Sequence, residues 1–98
     1  MTQRYAISPR ETAGMLTAEL RENFLIERLF VADDILLTYT HYDRMVVGGV
    51  QPGTTPLPLP CPSSLKADYF LERREPGALN VGGPGQILVD GETYELDH

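Results

Sequence analysis

Ninety-eight residues suffice for one small domain with a modest core and are too few for two. Fourteen acidic against eight basic side chains give a formal charge of -6, and with no basic run this excludes a nucleic-acid surface. The composition is that of an ordinary soluble globular protein, and an anionic small ligand remains open, because one or two well-placed arginines can hold it.

Cys61 stands alone, so no intramolecular disulfide forms, which fits a reducing cytoplasm. The opening MTQRYAISPRE lacks an apolar core of signal-peptide length, and no run approaches a membrane span. The expectation is a cytoplasmic chain with neither membrane nor nucleic acid as partner.

Met1 to Ile7 is an edge segment or a loose end. Ser8-Pro9-Arg10-Glu11 is a helix start: serine caps, proline suits the first helical position and Glu11 reaches back three residues. Gly14 weakens this helix, and Thr17 caps a second turn, Ala18 to Asn23, so residues 1–23 form a helical entry. Phe24 to Val31 reads as a β-rich run broken by Ala32-Asp33-Asp34. Ile35 to Tyr42 alternates, with Ile35, Leu37, Tyr39 and His41 on one face. After Asp43-Arg44, the apolar Met45 to Val50 suits a strand covered on both faces. Gln51 to Ser64 carries five spaced prolines. It reads as an extended surface loop in preference to a ligand for a proline-reading domain.

Tyr69 to Leu96 organises the rest, as three strand-like runs separated by turn residues. Asp90-Gly91 between extended runs predicts a two-residue type I′ hairpin pairing Val89 with Glu92, Leu88 with Thr93 and Ile87 with Tyr94. Ile87, Val89, Tyr94 and Leu96 then share a half-buried face. Six or seven strands after a short helical entry predict a mainly β domain over residues 1–98, its strands in 24–98 and its proline-rich loop at 51–64. A closed sandwich normally wants more strands. An open edge must be covered by a neighbour, or the chain is a piece of something longer.

His41-Tyr42-Asp43-Arg44 places an imidazole, a carboxylate and a guanidinium at one strand end. Asp43 on His41's face could orient the ring for acid–base work, but a structural histidine continuing the apolar face of Leu37 and Tyr39 is preferred. In Glu72-Arg73-Arg74-Glu75, whichever arginine faces inward could hold a carboxylate through two bonds, and Glu–Arg pairs bridging strands are the equal alternative. Gly82-Gly83-Pro84-Gly85 follows a strand but precedes no helix, so it reads as a bend or bulge, not a phosphate loop, and Gly48-Gly49 reads likewise. Two histidines 57 positions apart and one cysteine, without a His-x-His or Cys-x-x-Cys, give no metal site. Cys61 between Pro60 and Pro62 reads as packing, not a nucleophile.

Three stretches in order, LRENFLIERLFVADD, YTHYDRMVVGGVQP and YFLERREPGALNVGGPGQILVDGETYEL, resemble the amino-terminal part of the 5-keto-4-deoxyuronate isomerases, the 4-deoxy-L-threo-5-hexosulose-uronate ketol-isomerases of pectin breakdown. The resemblance implies a cupin-like antiparallel β-sandwich of two related halves, a homohexamer, and one zinc per subunit held by three histidines and a glutamate. It places those ligands in the carboxy-terminal half, beyond the last residue here. No catalytic or metal residue is therefore assigned in this chain, and zinc is expected only in the full-length family. The implied substrate is an acidic sugar. Its candidate partners here are Arg44, Arg73, Arg74 and His41. The alternative is a non-catalytic module that binds a sugar acid or mediates oligomerisation.

Overall fold

Two separate strand pairings carry the regular structure of the computed structural model, which describes residues 1–98. β1 (Thr2–Arg4), α1 (Pro9–Thr12) and α2 (Thr17–Phe24) precede β2 (Asp34–Thr40) and β3 (Met45–Gln51). A single 3-10 turn, Ser63–Leu65, separates these from β4 (Gly85–Val89) and β5 (Glu92–Leu96). β1 runs parallel to β2, and β3 runs antiparallel on its other side. The chain is mainly β, in one three-stranded sheet and one hairpin that do not close on each other. No helix is long and apolar enough to cross a membrane.

Local chemistry explains the elements that form. Ser8 and Glu11 make the expected capping box, Ser8 Oγ accepting the Glu11 N–H at 3.1 Å. α2 begins one residue before the predicted turn. Its cap is Leu16, not Thr17, and the Leu16 N–H donates to Glu19 Oε2 at 2.8 Å. The Arg4 guanidinium crosses from β1 to donate to the carbonyls of Glu22 and Leu25 at the other end of α2. A cation there satisfies acceptors that the helix itself leaves open.

The hairpin has the predicted register, Ile87 opposite Tyr94 and Val89 opposite Glu92. Asp90 (φ 49°) and Gly91 (φ 83°) supply the two positive dihedrals of the turn. Asn80 clamps the bend ahead of it: its Nδ2 donates to the carbonyls of Gly83 and Leu96, both at 2.9 Å, and its Oδ1 accepts the Gly82 N–H at 3.0 Å.

Three expected features differ. Phe24 to Val31 is not a strand, since α2 takes Phe24 and the rest runs irregularly past β3. Tyr69 to Glu75 holds turns, because Asp68 N–H bonds Glu72 Oε2 at 2.8 Å and Glu72 N–H bonds the Tyr69 carbonyl at 3.2 Å. These short-range bonds compete with a ladder and win. Gly48 and Gly49 sit in regular β3 pairing opposite Leu37 and Leu36, with neither bend nor bulge. Glycine is needed at 49 because the Leu29 backbone lies where a Cβ would be.

The result is five strands, not six or seven, and almost no core. Gly49 is the one buried residue. The accessible surface is 7922 Å², against about 5,600 Å² for a compact folded chain of this mass. The radius of gyration is 15.8 Å, against about 12.6 Å. The face that alternation marks as half-buried is open, with Ile87 36%, Val89 42% and Tyr94 52% exposed.

Candidate functional site

The parallel pairing of β1 with β2 builds a small cleft from residues distant in sequence. Gln3 stands opposite Tyr39 in the ladder, and the His41 N–H extends it by donating to the Arg4 carbonyl at 2.8 Å. Residues two apart on a strand share a face, so Tyr39 and His41 lie side by side with Gln3 and Tyr5 across from them. The His41 ring stacks on Tyr5 with centroids 4.5 Å apart, meets Tyr39 edge-on at 4.9 Å, and places Nε2 3.3 Å from Gln3 Oε1.

Arg74 comes to the same cleft from the turn-rich segment after the 3-10 turn. Its guanidinium lies 5.4 Å from the Tyr39 ring centroid, and its Nη1 donates to the Arg44 carbonyl at 3.2 Å. Two anchors hold the fork, while its other N–H groups have no partner in the protein. The cleft, of about 190 Å³, is completed by Met1, Ser64 and Leu65. No carboxylate lines it. Arg74 is the one lysine or arginine among its lining residues, on a chain whose formal charge is -6. The donor set suits a carboxylate: Arg74 can grip two oxygens, with hydroxyl, amide and imidazole groups beside it.

The structure therefore brings together two of the four candidate residues, His41 and Arg74. Arg44 contributes its backbone carbonyl from a left-handed turn residue (φ 52°), and its side chain is exposed. Arg73 is exposed and makes no hydrogen bond or ion pair. Asp43 occupies the neighbouring left-handed position (φ 56°), and Gln3 takes the part expected of it beside His41. Sequence reasoning missed Gln3, Tyr5 and Ser64. No signal marked them, since Gln3 and Tyr5 depend on a pairing across 36 positions of chain, as between Gln3 and Tyr39, and Ser64 on where the 3-10 turn falls.

A larger cleft of about 540 Å³ lies between β1, β2 and α2. Its Arg4 serves the end of α2 and its Arg21 pairs with Glu27, which leaves Arg28 as its free guanidinium, beside the carboxylates of Glu22 and Glu27.

Zinc fits neither place. No three His, Cys, Asp or Glu side chains converge anywhere in the chain. His41 is engaged with Gln3 and Tyr5, and His98 sits against the Gly82 carbonyl at 3.2 Å.

What the chain is similar to is a class of sugar-acid isomerases. In particular, it matches curated 4-deoxy-L-threo-5-hexosulose-uronate ketol-isomerases along its whole length. The relative from Bacillus pumilus is 48% identical over 98 residues, all of this chain and 36% of the relative. That from Kineococcus radiotolerans is 49% identical over 98 residues, again all of this chain and 35% of the relative. That from Formosa agariphila is 53% identical over 93 residues, 95% of this chain and 33% of the relative. The chain thus spans about a third of the length of the relatives it matches. No family profile matches it.

Proposed function

We propose that the chain is the amino-terminal, cupin-like part of a cytoplasmic ketol-isomerase that interconverts 5-keto-4-deoxyuronate and 2,5-diketo-3-deoxygluconate during the breakdown of pectin-derived uronates. The observation that carries this reading is the end-to-end match, at 48% and 49% identity over all 98 residues, to relatives that share one name. An aldose–ketose shift moves a proton between neighbouring carbons and leaves the carboxylate unchanged. The carboxylate is then free to serve as a handle that orients the reacting end. Arg74 and His41 supply the grip for that handle, and the stacked Tyr5 and edge-on Tyr39 hold the imidazole in place. The reading assigns zinc to no residue of this chain.

Deleting the gene and feeding unsaturated galacturonate disaccharides tests the reading. Cells should accumulate 5-keto-4-deoxyuronate, and restoring the gene should clear it. Unchanged consumption in the deletion strain would overturn it.

A further inference from the structure

The two clefts belong to opposite faces of the sheet. Gln3 and Tyr39 stand on one face with His41, and alternation sends Thr2, Arg4 and Thr38 to the other, towards α2. No lining residue is shared. At about 540 Å³ the cleft beside α2 lies within the range of small-molecule sites, about 300–1,000 Å³.

Its charges are engaged unequally. The Arg4 guanidinium donates to the carbonyls of Glu22 and Leu25, and Arg21 pairs with Glu27. Two charges remain, the Arg28 guanidinium and the Glu22 carboxylate, and neither has a hydrogen-bond or ion-pair partner. They do not pair with each other, since Arg21 with Glu27 is the one ion pair in the chain. A cation and an anion left open in one cleft suit a ligand that carries both signs. A plain carboxylate would be repelled by Glu22, and a plain amine by the arginines. Ala18, Leu25 and Ile26 add an apolar wall. The Thr2 and Thr38 hydroxyls, opposite each other in the β1–β2 register, add neutral hydrogen-bonding groups.

We infer that the cleft beside α2 binds a free aliphatic amino acid. Arg28 takes its carboxylate, Glu22 takes its ammonium group, and the apolar wall takes its side chain. Both contacts are charge-assisted, the stronger class of hydrogen bond. A free amino acid carries both charges on one carbon, whereas the end of a peptide carries only one of them. The inference is independent of the ketol-isomerase reading.

An NMR titration of the isotope-labelled protein with leucine tests it. N-acetyl-leucine and leucinamide serve as probes that keep the side chain and one charge each. Leucine should give saturable shifts at Leu25, Ile26 and the Arg28 guanidinium, and leave the Arg74 guanidinium in place. Each single-charge probe should bind about tenfold more weakly or worse, and Arg28→Gln and Glu22→Gln should each weaken leucine binding by a similar factor. Circular dichroism checks that both variants fold, while the two probes test the charge requirement on the unaltered protein. The absence of saturable shifts with leucine would overturn the inference. So would single-charge probes that bind as tightly as leucine, or folded variants that bind it like the wild type.

Discussion

Replacing glycines one at a time measures how far the packing between β3 and the Leu29 segment governs stability. At Gly49 an added Cβ would collide with the carbonyl and backbone carbon of Leu29 and approach its Cγ at 2.9 Å. The obstacle is main chain, so relief requires moving the Leu25–Val31 segment. Gly49→Ala should cost about 3 kcal/mol, the upper end for overpacking. At Gly48 the new methyl meets Leu37 Cδ2 at 2.8 Å and the Leu36 carbonyl at 3.3 Å. The first is the end of a side chain that can rotate away, so Gly48→Ala should cost about 1 kcal/mol. Gly83 has open space and no positive φ, so alanine there should be neutral or stabilise by up to about 1 kcal/mol through the unfolded chain. Gly91 also has open space but sits at φ 83°, and its alanine variant should lose about 1–2 kcal/mol to backbone strain alone. Urea denaturation followed by circular dichroism at one fixed protein concentration gives the order. If Gly49→Ala lay within about 0.5 kcal/mol of wild type, or Gly48→Ala cost more than Gly49→Ala, the close approach of Leu29 to β3 would be refuted.

Two further outcomes follow from hydrogen bonds around the hairpin. Tyr94 Oη donates to Glu92 Oε2 at 2.7 Å, and this bond, helped by the Asp90 charge, raises its pKa above the ordinary tyrosine value. The neutral phenol is favoured in the fold, so this contribution is complete below the ordinary tyrosine pKa and disappears as pH rises through the raised one. A phenolate absorbance titration should show Glu92→Gln moving Tyr94 back towards the ordinary value. No movement would mean that the bond does not form. Asn80→Ala removes three hydrogen bonds between the Gly82–Gly83 bend and the end of β5, and should cost about 2–3 kcal/mol by urea denaturation at about 1 kcal/mol each. A loss under about 0.5 kcal/mol would show that the bend forms without its clamp.

What was legible in the sequence is what short-range chemistry decides. Asp90-Gly91 dictates a turn whose two positive dihedrals few residues accept, and the register of β4 and β5 follows from it. Ser8 and Glu11 settle the first helix start within one turn. The Leu16 cap was missed because the apolar residue caps through its own N–H and Glu19, with no side-chain signature. Tyr69 to Glu75 was misread because alternating polar and apolar residues satisfy a strand pattern, while Glu72 closes local bonds that the pattern does not register. Of the site, His41 and Arg74 were visible as residue types. Their meeting was not, because it rests on the pairing of Gln3 with Tyr39 and on Arg74 reaching the Arg44 carbonyl 30 positions away. The open face of the hairpin was equally hidden, since alternation announces that a face wants cover without saying what supplies it.

The central claim, that the cleft of His41 and Arg74 holds the carboxylate of a sugar acid, is tested most directly by an NMR titration of the isotope-labelled protein with 5-keto-4-deoxyuronate. Saturable shifts should appear at the Arg74 guanidinium, the His41 ring and the Gln3 amide, and Arg74→Gln should abolish saturation while leaving the β4–β5 signals in place. Shifts that never saturate, or that persist unchanged in Arg74→Gln, would contradict it.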